Sequence, residues 1–257
     1  MSLRHANYDQ IAPTYDKRYE RREYAGAERA LREFVGEPSE LRILEVGCGT
    51  GHWLNVLKAF ESKVMGLDFS LGMLARARTS FPTSVLIRGT AQHLPLPAAF
   101  VDRVFCINAI HHFPDKPAFL REARRVLRPD GRILTVGLDP HAERDQWHVY
   151  DYFTESLKID KQRYPSSEQL RAWMVEAGFR DCVTQEAEHW VSRMPAREAL
   201  EQGRLDQAVT SQLSVLTDDE YRQGMARIRG DMERAEQEGQ TLFLTTDLRL
   251  YATTASV

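Results

Sequence analysis

The chain has 257 residues, 42% of them hydrophobic, enough for one substantial core with room for an insertion. Its 34 Lys and Arg against 37 Asp and Glu give a formal charge of −3, without the basic excess that a nucleic-acid partner calls for. No stretch approaches the roughly 18 apolar residues of a membrane span, and the first residues lack the apolar run of a signal peptide, so a cytoplasmic protein with no membrane partner is expected.

In chain order, Tyr8, Ile11, Ala12 and Tyr15 fall at helical spacing, and a charged stretch over 21–35 also predicts helix, ended by Gly36, Pro38 and Ser39. From Leu41 short apolar runs alternate with amphipathic segments: LRILEV, TGHWLNVLKAF, KVMGLD, SLGMLARARTSF, SVLIRG. Such β-α-β-α-β alternation predicts a parallel sheet with helices on both faces. VDRVFCIN and GRILTVGL continue it as strands, with a helix over 116–127 between them.

Residues 139–164, with Trp147, Tyr150, Tyr152 and Phe153, break the alternation and predict an inserted cap or lid. A helix opened by Ser166 and Ser167 and closed by Gly178 follows, then a strand, FRDCVTQEAE. Residues 190–240 are expected to be mostly helical. Their clearest piece starts with the capping box Thr217-x-x-Glu220 and carries the stripe Tyr221, Met225, Ile228 and Met232. TLFLTTDLRLYATT predicts a last strand, antiparallel at the sheet.

The expected architecture is thus α/β: a Rossmann-like, doubly wound, mostly parallel sheet with an antiparallel last strand, an N-terminal helical cap and a helical insertion. The expected divisions are 1–40 for the cap, 41–138 for the nucleotide-binding core and 139–257 for the lid and completion of the same domain. Cys48, Cys106 and Cys182 are widely spaced, which suggests neither a disulfide framework nor zinc; no metal is expected.

The segment ILEVGCGTG sets Gly47, Gly49 and Gly51 between a buried strand and a helix, where missing Cβ atoms allow a tight turn and close approach by a ligand. The spacing G-x-G-x-G departs from the pyrophosphate fingerprint G-x-G-x-x-G. A carboxylate at Glu45 would repel a pyrophosphate and suits a ligand carrying an ammonium group, such as S-adenosylmethionine. Asp68, at the end of the next strand, stands where an acid accepts hydrogen bonds from ribose hydroxyls, as it would for NAD also.

Taken together, EVGCGTG, GLDFS..ML, GTAQHLPLP, VDRVFCINAIHHF and VLRPDGRILTV resemble the successive motifs of class I S-adenosylmethionine-dependent methyltransferases. The nearest likeness is to the broad group of ubiquinone/menaquinone-biosynthesis-type and natural-product enzymes, over residues 8–138. The resemblance implies that the loop with Gly47, Cys48, Gly49 and Gly51 contacts methionine and ribose, that Glu45 serves the amino group directly or through water, and that Asp68 binds the ribose diol. Phe69 would pack on adenine, Ala91 and Gln92 would line its edge, Asn108 the methionine side, and Tyr15 would cap the cofactor.

Methyl transfer from a sulfonium is an in-line displacement that needs alignment and shielding more than a protein nucleophile. His111 and His112, where the fourth strand meets the site, are the candidate catalytic bases for a hydroxyl or amine acceptor. A small-molecule acceptor is expected, beside these strand ends. An NAD-dependent oxidoreductase and a non-catalytic cofactor-binding subunit are the alternatives, and two cysteines near the strand ends raise an arsenite acceptor. NAIHHF in place of an NPPY-like motif argues against base methylation in nucleic acid. A homodimer through the helical C-terminal region is left open.

Overall fold

In the computed structural model the described residues are 8–12, 15, 16, 19, 24–37, 40–58, 60, 62–82 and 84–257. They fall into two units. One joins Asn7–Asp139 with Pro165–Glu188 and Leu250–Val257; the other gathers Pro140–Tyr164 and His189–Arg249. These units cut across the three stretches expected from the sequence.

The first unit is built on strands that are apolar on both faces, as a sheet covered by helices requires. They are β1 (Arg42–Val46), β2 (Lys63–Asp68), β3 (Val85–Arg88), β4 (Val101–Ile107) and β5 (Leu127–Gly137). They run parallel in the order β3-β2-β1-β4-β5. The last strand of the chain, β8 (Phe243–Ser256), pairs antiparallel with β5, Thr135 opposite Thr253. The strand β7 (Arg180–Pro195) also pairs with β8. The mostly parallel sheet with an antiparallel last strand is as the sequence predicts.

The helices of this unit are α1 (Tyr8–Ile11), α2 (Ala25–Val35), α3 (His52–Val56), α4 (Leu71–Ser80), α5 (Lys116–Val126) and α8 (Ser167–Glu176). In α2, Ala27, Ala30, Leu31, Phe34 and Val35 recur at helical spacing and are buried. Its first turn is closed by a distant acid: Oε2 of Glu188 accepts from Gly26 N at 2.6 Å and from Ala27 N at 3.3 Å. Local caps start α4, α5 and α8, with Ser70 accepting from Met73 N, Asp115 from Ala118 N and Ser166 from Gln169 N. Gly178, at φ +90°, ends α8 in the left-handed conformation that the sequence predicts there.

The core lies between sheet and helices. Val104, Phe119, Leu120, Ile133 and Met174 are among its fully buried members, each large aliphatic or aromatic side chain contributing about 1.5–3 kcal/mol by leaving water.

In the second unit, β6 (Gln146–Trp147) pairs antiparallel with Thr246 and Asp247 of β8. Residues 139–164, expected as a lid, form β6, α6 (His148–Tyr152) and α7 (Thr154–Arg163). The helices α9 (Ala196–Glu201), α10 (Ser211–Ser214) and α11 (Asp218–Gln237) follow, α11 opened by the predicted capping box of Thr217 and Glu220. One expectation fails here: residues 189–195 continue β7 instead of beginning a helical region. Most of β7 is exposed or half-buried, so pairing with β8 holds this strand where no apolar alternation announces it. Among the described residues no helix is long and apolar enough to cross a membrane.

Candidate functional site

The site assembles at the carboxyl ends of β1, β2, β3 and β4, where open parallel sheets bind ligands. After Val46 the chain turns through Gly47, Gly49 and Gly51, all with positive φ (80°, 53° and 87°), a conformation that glycine adopts without strain. At Gly47 a second constraint acts: an added Cβ would lie 2.5 Å from Cβ of Ala109, so the turn after β4 packs directly on the loop. The amides of Gly47 and Cys48 donate to the Leu67 carbonyl at 2.8 and 3.0 Å, tying the loop to β2.

Asp68 ends β2 and shapes the loop from the other side. Its Oδ2 accepts from Gly49 N at 2.8 Å and its Oδ1 from Ser70 N at 2.9 Å. An ionised carboxylate offers about four lone-pair positions, so two remain for a diol. Burial raises the Asp68 carboxyl above its ordinary value, while the Ser70 and Gly49 amides pull it back. Phe69 beside it is exposed, with the Arg88 guanidinium 5.9 Å from its ring, and presents an aromatic face.

The amide of Gly89 donates to the Asp68 carbonyl at 3.1 Å, which brings the segment with Ala91 and Gln92 to the tip of β2. The Ala91 side chain is buried in the core and leaves its main chain for a ligand; Gln92 is half-buried. Asn108, after β4, sits at φ +52°, a left-handed position that asparagine tolerates better than most residues. Its amide is anchored on the Val136 carbonyl at 2.8 Å.

Two of the expected site residues, Glu45 and Cys48, are buried. Glu45 is fully buried, and neither carboxyl oxygen has a hydrogen-bond partner among the described residues. Burial, and then the neighbouring Asp68, raise its carboxyl well above the ordinary value, which favours the neutral form. Cys48 turns its thiol into an apolar cluster with Leu54 and Leu74, leaving only its main chain at the loop. Burial raises the Cys48 and Cys106 thiols, which disfavours their thiolate forms.

The N-terminal segment is fastened over the loop by carboxylates. Asp9 Oδ1 accepts from Ser70 Oγ at 2.5 Å and from Gly72 N at 2.9 Å, and Asp16 accepts from the Thr50 hydroxyl. Tyr15 is thereby held against Gly49, its ring edge 3.7 Å from where a Cβ would stand. Tyr8 lies edge-on to Tyr15 at 5.9 Å between ring centroids and edge-on to His112 at 4.8 Å. The rings of His112 and the buried His111 are 3.8 Å apart. Structure thus joins the glycine loop, Tyr15 and the two histidines in one place. It adds individual contacts for Tyr8, Asp9 and Asp16 in the segment YDQIAPTYD, of which sequence reasoning assigned a site role to Tyr15 alone. Among the described residues no cluster of three or more His, Cys, Asp or Glu side chains is arranged to hold a metal ion.

The family model described as "Methyltransferase domain" matches residues 44–135, the stretch from β1 to β5 that carries this loop, Asp68 and the histidines. Over that stretch the chain is similar to a methyltransferase domain. Among curated proteins the chain is 31% identical over 162 residues to the chloroplastic 2-methyl-6-phytyl-1,4-hydroquinone methyltransferase of Arabidopsis thaliana, covering 59% of this chain and 45% of that one. It is 35% identical over 134 residues to a phthiotriol/phenolphthiotriol dimycocerosates methyltransferase of Mycobacterium leprae, covering 51% and 49%. This chain therefore spans about half the length of these relatives. The crystal structure of the YcgJ protein from Bacillus subtilis has the same fold, with a TM-score of 0.63 at 20% identity over 90% of this chain and 98% of that one.

S-adenosylmethionine is the cofactor that this similarity implies, and the residues present fit it. The glycine turn carries no side chain at Gly47 or Gly49, Asp68 offers acceptors for a diol, and Phe69 offers a ring for adenine.

Proposed function

We propose that this chain transfers a methyl group from S-adenosylmethionine to a small-molecule acceptor. The observation that carries the reading is that one N-terminal segment joins the cofactor loop to the candidate base, with Tyr15 against Gly49 and Tyr8 on His112. S-adenosylmethionine supplies a methyl group on a positively charged sulfur, and the chain's own task is to hold, align and shield.

Gly47, Gly49 and Gly51 bind the methionine and ribose through main chain, Asp68 takes the ribose hydroxyls, and Phe69 with the main chain near Ala91 and Gln92 receives the adenine. Asn108 lines the methionine side and Tyr15 covers the site. His112 takes the proton from an acceptor hydroxyl or amine, and its hydrogen bond with Tyr8 fixes the ring. His111, packed on His112, supports that ring. Two relatives named for hydroquinone and phthiotriol substrates support an acceptor of small-molecule size.

Calorimetric titration with S-adenosylhomocysteine, and separately with NADH, tests the reading. Binding of the former in the micromolar range, about −8 kcal/mol, with no heat from NADH is expected. NADH binding alone would make the chain an oxidoreductase. Incubation with methyl-labelled S-adenosylmethionine and a panel of phenols and amines then tests transfer.

A further inference from the structure

Away from the strand ends that carry the glycine loop, the first unit has a second concave site. A cavity of about 520 Å³ opens where β4 and β5 begin, with Ala99, Leu127 and Pro129 in its wall. The strand β4 is seven residues long, roughly 23 Å, and separates this cavity from the carboxyl ends of the sheet. The two sites are therefore distinct.

Four arginines line the cavity, Arg121, Arg124, Arg125 and Arg180, and the Val257 carboxylate is the one anionic group among the lining residues. Their surroundings divide them. Arg125 is fully engaged: Nε and Nη2 donate to Glu122, Nη1 to the Leu96 carbonyl and Nη2 also to the Leu94 carbonyl. It builds the wall. Arg124 is held by a neutral group instead, its Nε donating to the Gly178 carbonyl at 3.2 Å, which orients the guanidinium without cancelling its charge. Arg180 donates through Nη2 to the Val257 carboxylate at 2.7 Å, so its charge is already partly matched. Arg121 makes no hydrogen bond or ion pair among the described residues.

A protein with a formal charge of −3 has no general surplus of cations to explain this concentration. Planar guanidinium groups with outward donors match the oxygens of a phosphoryl group. The wall also holds a residue in an unfavourable conformation: Ala99, a non-glycine residue, stands at φ +51° with its amide on the Arg125 carbonyl at 3.0 Å. The volume lies within the range of sites for small organic ligands, larger than a lone phosphate needs.

We propose that this cavity is an anion site for a phosphate ester or diphosphate, held by Arg121 and Arg124 with support from Arg180, at the end of the sheet opposite the methyl-transfer site. The proposal goes beyond the catalytic reading and does not depend on it. The phosphoryl group can belong to a soluble metabolite or to a lipid headgroup, and the concave shape favours either over a flat protein partner.

Titration calorimetry of the full chain with pyrophosphate tests it, using Arg121→Ala, Arg124→Ala, the double variant and, as a control, Arg222→Ala on an exposed helix of the second unit. Pyrophosphate should bind the unaltered chain, about tenfold more weakly after either single change and more weakly still in the double variant. Arg222→Ala should bind it as the unaltered chain does. S-adenosylhomocysteine affinity and melting temperature should stay the same in all variants, which separates this site from the glycine loop and from loss of fold. Sedimentation with phosphatidic acid vesicles identifies the source: binding that needs both arginines assigns a lipid headgroup, whereas pyrophosphate binding without vesicle binding assigns a soluble ligand. Absence of pyrophosphate binding, or equal affinity in the double variant, overturns the proposal.

Discussion

The hydroxyl of Tyr8 lies 2.5 Å from Nε2 of His112, across 104 residues of sequence. A hydrogen bond between a phenol and an imidazole fixes the ring and couples any proton held on it to the tyrosine. Tyr8→Phe should lower kcat by about tenfold, and His112→Gln by about a hundredfold or more, as loss of a general base does. Because the two act as one unit, the double variant should be little worse than His112→Gln alone. S-adenosylhomocysteine affinity should move little in any of the three. Additive losses in kcat would show that the phenol works independently of the imidazole.

Asp68 has two tasks that a mutant series can separate. It holds the amides of Gly49 and Ser70, and it leaves acceptors for a ribose diol. Asp68→Ala should weaken S-adenosylhomocysteine binding by about 1.5–3 kcal/mol, the range for hydrogen bonds to a charged group. Asp68→Asn keeps one acceptor oxygen and should lose less. Unchanged affinity in a folded Asp68→Ala protein, measured by calorimetry, would remove this residue from the cofactor site.

Sequence reasoning reached the strands β1 to β5 and the glycine loop because buried parallel strands are written as short apolar runs and their turns need glycine. Asp68 and Asn108 were legible for the same reason: they stand at ends of strands whose bounds are clear. The state of Glu45 was not, since its charge depends on burial by residues distant in sequence, and the side-chain direction of Cys48 is likewise set by Leu54 and Leu74. The partnership of Tyr8 and His112 has no local signal at all. Residues 189–195 read as helical because exposed β-strand, held by pairing alone, carries no periodic mark.

Glu45 gives a pH dependence whose sign follows from its burial. In the unfolded chain its carboxyl titrates near the ordinary value of 4.5, and in the native chain well above it. Between those values the native state keeps a proton that the unfolded chain has released, so stability falls as pH rises through the window. Glu45→Gln cannot release a proton and removes that slope. The melting temperature of the unaltered chain should therefore decline more between about pH 5 and pH 8 than that of the variant. Asp68, also raised, remains in both proteins, so the difference isolates Glu45. A bound cation would favour the ionised acid, and S-adenosylmethionine binding should release a proton, seen as a buffer-dependent heat that Glu45→Gln abolishes.

The second unit holds a buried ion pair, Asp160 with Arg163, both side chains removed from solvent. Tyr150 donates to Asp160 Oδ2 at 2.8 Å, and Gln212, whose carbonyl accepts from Ser156 at 3.2 Å, donates to the Tyr164 hydroxyl at 3.1 Å. Burial raises the Asp160 carboxyl while Arg163 opposes it, so the pair stands only while both members are present. Asp160→Ala should cost about 3–5 kcal/mol by leaving the guanidinium buried without its carboxylate. Asp160→Ala with Arg163→Met removes both charges and should recover part of that loss, because an apolar chain of similar length needs no partner. Urea denaturation of the three proteins measures the effect. A double variant no more stable than the single would show that the rest of the network, and not the unpaired charge, sets the loss.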